Sequence, residues 1–223
     1  MRQIRLAVVF VLGLCTAAFA QQPTTADDST FFMGRLKHSD KDGNDCGGAS
    51  THLMQLVSRA SSLKMQQEKR IRYTDPELFE TPFIFMNGHN DFVLMPAEIE
   101  ILRTYLSHGG FLFASGCCTN PEFPKAWRRE FSRIFSKESV RPLPYDHLIY
   151  RAFYRIERVR SLNTNRDIHL EGLFYEGNLV AVLGEDGLCC AFSMGNKCNE
   201  GKGVSAEDGK KLALNIAVYA LTH

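Results

Sequence analysis

A chain of 223 residues, 44% apolar and 23% charged, is one globular domain's worth of sequence. That balance excludes wholly disordered, collagen-like, coiled-coil and multi-span membrane classes. Twenty-six basic against 25 acidic residues leave a formal net charge of +1, which carries no electrostatic footprint for a nucleic-acid backbone.

The chain opens with the three parts of a secretory signal. Arg2 and Arg5 make a positive start, Leu6 to Leu14 an apolar core, and Ala18-Phe19-Ala20 a small-x-small cleavage site. The apolar core is too short to span a bilayer, which takes about 20 residues. The mature chain is expected to begin at Gln21, with no transmembrane span after cleavage and a periplasmic or extracellular destination. Lipidation at Cys15 and an uncleaved anchor are the alternatives. Removing residues 1–20 leaves 24 basic and 25 acidic residues, a net of −1, and six of the seven cysteines. An even cysteine count in an exported chain points to disulfides.

Residues 21–29 carry Pro23 and read as a disordered leader, so the single domain is expected over 30–223. Phe31 to Leu36 predicts a first strand and Lys37 to Gly48 a polar loop. Leu53, Leu56, Val57, Ala60 and Leu63 recur at helical spacing, so Ala49 to Lys64 predicts an amphipathic helix. Ile71 to Tyr73 predicts a short strand. Pro82 to Met86 is continuously apolar, as a buried parallel strand is. Pro96 to His108 predicts a helix, opened by proline and stopped by Gly109-Gly110. Phe111 to Ala114 is another buried strand, ending at Ser115-Gly116-Cys117-Cys118. Lys125 to Phe135 is helical, with Pro121 and Pro124 expected to delay its start. Val140 to Pro144 is extended, and Tyr150 to Ile156 alternates less clearly. Leu173 to Tyr175 and Leu179 to Leu183 flank a hairpin signal at Glu176-Gly177-Asn178. Ala206 to Leu221 closes the chain as a helix.

Alternating strands and helices predict an α/β fold: a three-layer sandwich with a mainly parallel, flavodoxin-like sheet and a hairpin or insertion toward the C-terminus. Ligands in such folds bind beyond the carboxyl ends of the strands. Those ends are Lys37–Gly48, Asn87–Asp91, Ser115–Asn120 and Gly184–Cys198, and they hold all six mature cysteines: Cys46, Cys117, Cys118, Cys189, Cys190 and Cys198. With flavodoxin-like order, Cys117/Cys118 and Cys189/Cys190 face each other.

Several stretches together resemble the bacterial domain-of-unknown-function family numbered 4159. They are the Phe31–Leu36 strand, Asp75-Pro76-Glu77-Leu78-Phe79, and Pro82-Phe83-Ile84-Phe85-Met86-Asn87-Gly88-His89. Gly109-Gly110-Phe111-Leu112-Phe113 with Cys117-Cys118 follows, then Leu143-Pro144-Tyr145-Asp146-His147 and the closing Asn215 to Thr222. The resemblance implies a fold similar to the class I glutamine-amidotransferase-like superfamily, and it implies no established activity. Asp186-Gly187-Leu188-Cys189-Cys190-Ala191-Phe192 departs from the family's pattern by an extra cysteine and a missing tryptophan.

The residues leave the chemistry open. Glutamine hydrolysis needs a G-x-C-x-G elbow, which Gly116-Cys117-Cys118-Thr119-Asn120 lacks, and His169-Leu170-Glu171 precedes a hairpin rather than the last parallel strand. Fold analogy alone does not carry that activity. Cys117, Cys118, Cys189 and Cys190, with His89 and His147, could offer thiolate and imidazole ligands to a metal ion, although adjacent cysteines rarely both reach one ion. The plainer reading pairs Cys117/Cys118 with Cys189/Cys190 and Cys46 with Cys198; a mixture with a redox-active thiol is the third.

His89, in Gly88-His89-Asn90-Asp91, is either a ligand-binding or general-base imidazole at the sheet edge or a ring that caps its loop. Asp146-His147 offers an oriented imidazole or an ordered loop held by two prolines. His38 is a third binding candidate. His52, His108 and His223 read as solvent-facing. Lys125, Arg128, Arg129 and Arg133 form a basic helix face for solvent or for an acidic partner. No phosphate-binding glycine loop, zinc-protease motif or serine elbow is present.

Two functions follow as expectations. The first is an exported domain that binds a small ligand or a cell-envelope protein at the carboxyl edge, braced by disulfides, with no cofactor. The second is an extracytoplasmic metal- or thiol-dependent hydrolase or redox enzyme, using His89, His147 and Cys117, Cys118 or Cys189.

Overall fold

The computed structural model describes residues 30–38, 48–62, 64–65, 68–135, 140–193 and 201–223. The expected signal segment and 21–29 leader, Cys46 and Cys198 lie outside the described residues.

The first expected strand is two: β1 (Thr30–Phe31) and β2 (Gly34–Leu36). Helix α1 (Ala49–Ala60) follows, then β3 (Lys64–Met65), β4 (Lys69–Ile71) and β5 (Phe83–Gly88). Helix α2 (Pro96–Ser107) connects to β6 (Phe111–Gly116). Helix α3 (Glu122–Phe131) leads to β7 (Arg141–Pro142), β8 (Glu171–Tyr175) and β9 (Asn178–Gly184). A short helix α4 (Leu188–Phe192) and the long α5 (Ala206–Thr222) close the chain.

Seven strands form one sheet in the order β4-β2-β5-β6-β9-β8-β7, and β1 pairs with β3 beside it. The first five of the seven run parallel, while β8 pairs antiparallel with both its neighbours. The β8–β9 link is Glu176-Gly177, both at positive φ (48° and 83°), the backbone that suits a two-residue turn between twisted strands.

Strand alternation explains the unbroken apolar runs. Phe83, Phe85 and Phe113 join a core with Leu53 and Val57 of α1, Phe192 of α4 and Ile216 of α5. Their neighbours Ile84, Met86 and Leu112 join a second core with Leu102 and Leu106 of α2 and Trp127 and Phe131 of α3. A strand with apolar partners on both faces has no polar positions to alternate with.

Other local readings also differ from the sequence expectation, among them the strand expected at Ile71–Tyr73, which is found at Lys69–Ile71. Helix α3 begins at Glu122 because Pro124 falls in its first turn, where the missing N–H would have had no partner. Leu148–Arg151 forms one turn of 3-10 helix, leading into the Tyr150–Ile156 stretch whose alternation is unclear in the sequence. Leu188–Phe192 is helical inside what the sequence presents as a loop. Five residues are too few to show a period.

Candidate functional site

The site is assembled by register. Asn87 and Gly88 of β5 pair with Ser115 and Gly116 of β6, and Ser115 pairs with Gly184 of β9. Three neighbouring parallel strands therefore end level. The Cys117 N–H extends the pairing by donating to the Gly88 carbonyl at 2.9 Å. Beyond Gly184, Asp186 and Gly187 take positive φ (54° and 70°) and turn the chain back into α4. The Cys189 N–H then donates to Ser115 Oγ at 2.9 Å, fixing α4 over the end of β6.

This brings the four described cysteines into two facing pairs. The Sγ atoms of Cys117 and Cys189 are 3.2 Å apart, and those of Cys118 and Cys190 are 3.7 Å apart. Both separations exceed the roughly 2.05 Å of a disulfide bond. The inner pair is sealed, with Cys117 and Cys189 each 0% exposed, whereas Cys118 in the outer pair is partly open to solvent.

Different groups serve the two pairs. Asn87 Nδ2 donates to Cys117 Sγ at 3.3 Å, and Asn87 Oδ1 accepts from Arg35 Nη2 at 3.4 Å. Arg35 Nη1 lies 4.0 Å from Glu68 Oε1, so a line of polar groups runs from a carboxylate to the inner sulfur. Burying that guanidinium is tolerable because it has a carboxylate and an amide oxygen beside it. At the outer pair, His89 Nε2 lies 3.2 Å from Cys118 Sγ, and the Cys118 N–H donates to Cys190 Sγ at 3.2 Å.

The backbone at the outer pair is strained. Cys118 and Thr119 sit consecutively at φ 53° and 58°, a left-handed region that costs a non-glycine residue roughly 1–2 kcal/mol. The turn is held by Asn120 N–H donating to the Cys117 carbonyl at 2.9 Å and Thr119 Oγ1 donating to the Cys118 carbonyl at 2.6 Å. Gly116 lets the helix after it come close: a Cβ there would stand 2.8 Å from Pro124 Cγ.

Of the binding candidates, His38, Gly88, His89 and Asn90 share this edge. His38 sits edge-on to Phe92 and Phe123, with centroids at 5.0 and 5.4 Å. Asn90 is exposed on the loop after β5. Asp146 and His147 lie elsewhere. The His147 ring packs against Phe174 and Tyr219, and its Nδ1 accepts from the Ile149 N–H at 3.2 Å. Phe174 pairs with Leu179 near the start of β9, and Tyr219 packs on Phe111 at the start of β6, so His147 stands at the amino end of the parallel strands. Burial holds its imidazole below the ordinary range against the opposing pull of Asp146.

The basic helix face is spent within the chain. Arg128 bonds Glu171 at 2.6 Å and also meets Glu185; Arg129 reaches Asp91 at 2.8 Å; Lys125 reaches Glu122 at 2.9 Å. Burial works to raise the Glu130 carboxyl, but Arg129, the Leu94 N–H and Arg133 outweigh it and hold the group below its ordinary value. The sequence also hides a small cavity of about 110 Å³ lined by His52, Gln55, Leu56, Arg59, Phe192 and Lys210. His52 Nδ1 lies 3.3 Å from Ser193 Oγ there. Its walls come from α1, α4 and α5, and only the His52-Gln55-Leu56-Arg59 spacing on α1 is visible in the sequence. Among the described residues, no group of three or more His, Cys, Asp or Glu is arranged to hold a metal ion. Nor is any described helix long and apolar enough to cross a membrane.

The family model of DUF4159, a domain of unknown function, matches residues 33–221. The chain belongs to this family. Its matched span takes in every residue of the cysteine edge described above. No curated protein matches the chain.

Proposed function

We propose that this DUF4159 protein is an exported domain that binds a small ligand or a cell-envelope protein at the carboxyl edge of its sheet, with facing cysteines bracing that edge. The observation that carries the reading is the convergence there of His38, His89, Asn90 and the two cysteine pairs, with sulfurs 3.2 and 3.7 Å apart. An exported chain meets an oxidising compartment, where facing cysteines join. The level strand ends and left-handed turns form the kind of crevice that open α/β sheets offer to ligands. The order β4-β2-β5-β6-β9 and the two side-chain cores also support a flavodoxin-like, three-layer, amidotransferase-like arrangement.

Two measurements test the proposal. N-terminal sequencing and non-reducing peptide mapping of the protein recovered from the expressing cell should find a chain starting at Gln21, with Cys117 linked to Cys189. A retained leader with Cys117 and Cys189 both alkylated would overturn export and brace together. A photo-crosslinking residue at Asn90 should capture an envelope component, and one at His108, at the C-terminus of α2, should not. Equal yields at the two positions would sink the binding edge.

A further inference from the structure

The two cysteine pairs differ in access and in their polar neighbours. The inner sulfurs are sealed in the core, where an incoming disulfide cannot reach them. In the outer pair Cys118 is a partly exposed residue, with an imidazole nitrogen 3.2 Å from its sulfur and a second sulfur 3.7 Å away. Thiol–disulfide exchange calls for that set: an accessible thiol, a nearby group that takes its proton, and a resolving thiol within reach. The left-handed backbone at Cys118 and Thr119 is strain of the kind that gathers at working sites.

We propose that Cys118 and Cys190 form a thiol–disulfide exchange site whose substrate is an exposed dialkyl disulfide. The inference rests on the facing of the two cysteine pairs at the proposed edge, and it divides their work: the inner pair braces, the outer pair reacts.

The step balances as follows. His89 takes the Cys118 proton, and the Cys118 thiolate attacks one sulfur of the substrate disulfide. The substrate S–S bond breaks as the Cys118–substrate bond forms, and the first substrate thiolate leaves and takes up the proton. Cys190 then loses its proton and attacks Cys118 Sγ. The mixed disulfide breaks, the second substrate thiol departs with that proton, and a Cys118–Cys190 disulfide remains. Two electrons pass from the protein dithiol to the substrate, which leaves as two thiols. The Cys118 N–H, directed at Cys190 Sγ, stabilises the negative charge that gathers there.

The test uses the full chain, reduced and native, with oxidised glutathione as the substrate probe and peptide mapping as the readout. Wild type should lose the probe's disulfide and gain a Cys118–Cys190 link. Cys190→Ser should stop at a glutathione adduct on Cys118, and Cys118→Ser should form no adduct. His89→Gln should slow adduct formation about tenfold at neutral pH and regain the wild-type rate at alkaline pH, since each pH unit of thiol titration is a factor of ten in thiolate. An adduct on Cys190 in Cys118→Ser, or a His89→Gln rate equal to wild type, would overturn the assignment. So would Cys190→Ser protein that takes no adduct while the same protein, recovered from the cell without reduction, carries the Cys117–Cys189 link, a result that leaves the brace standing. Absence of the Cys117–Cys189 link in wild type recovered from the cell without reduction would instead defeat the brace. Iodoacetamide labelling of reduced wild type needs no variant: among the four described cysteines Cys118 should react first, and equal labelling of those four would refute the division.

Discussion

Each end of the parallel sheet holds a histidine among close neighbours, and the two are held in opposite ways. His89 stands on a partly open loop with its Nε2 against a sulfur. His147 is wedged between the rings of Phe174 and Tyr219, with its Nδ1 engaged by a backbone N–H. Around His89 lie strained turns, an amide and four sulfurs. Beside His147 lie Tyr150 and Tyr145, the latter's hydroxyl donating to the Ile168 carbonyl at 2.7 Å and accepting from the Val159 N–H at 3.0 Å. The amino end is closed by aromatic packing and buys rigidity; the carboxyl end is closed by polar and sulfur contacts that chemistry can change. The same residue type, half-buried in both places, is a working candidate in one setting and a ring-packed, backbone-bonded histidine in the other, and the strand end decides which.

The largest effect that sharpens this contrast is expected from Tyr150→Ala. The ring is buried and its hydroxyl accepts the Leu170 N–H at 2.8 Å. Its loss should lower unfolding free energy by about 3–5 kcal/mol in urea titration while leaving the native-state labelling rate of Cys118 unchanged. A changed labelling rate would mean that the two ends are coupled. Gly116→Ala should cost about 1–3 kcal/mol, because the new methyl meets the Pro124 ring, and it should alter Cys118 labelling as the turn shifts. Asn87→Ala strips Cys117 of a donor and Arg35 of an acceptor, for a loss of about 1–3 kcal/mol in the same titration, with Cys118 labelling unaffected.

The smallest effect is the pH dependence that His147 confers. Its folded pKa lies below the ordinary value, so in the titrating range the unfolded chain binds the extra proton. This contribution is fully present above about pH 6.5 and is lost as pH falls through the lowered folded value. His147→Gln should flatten that part of the stability profile measured by urea unfolding between neutral and mildly acid pH. An unchanged slope would show that the ring is not titrating with folding.

The sequence reveals the strand and helix alternation because apolar runs such as Phe83–Met86 and stripes such as Ile99, Leu102 and Leu106 have a period that a reader can count. It also places Cys117/Cys118 opposite Cys189/Cys190, because strand adjacency follows from connection rules. It does not separate the inner sulfurs from the outer ones. That distinction depends on the left-handed φ of Cys118 and on α4, a five-residue helix with no readable period. Nor does it distinguish His89 from His147. Both follow extended segments; the sequence puts the His89 loop at a carboxyl strand end, but only the structure shows that the His147 loop lies at the amino end. Arg35 reads as a polar interruption of a strand; its amide and carboxylate partners are 52 and 33 positions away in sequence.

The consecutive left-handed residues at Cys118 and Thr119 bear on how this protein can be improved in the laboratory. Glycine or asparagine occupies that backbone region at lower cost than threonine does. A screen rewarding thermal tolerance alone should therefore drift toward Asn or Gly at position 119, gaining up to about 1 kcal/mol there. The same drift would loosen the turn that holds one sulfur outward beside its imidazole. Heat resistance and edge chemistry pull in opposite directions on a single peptide unit.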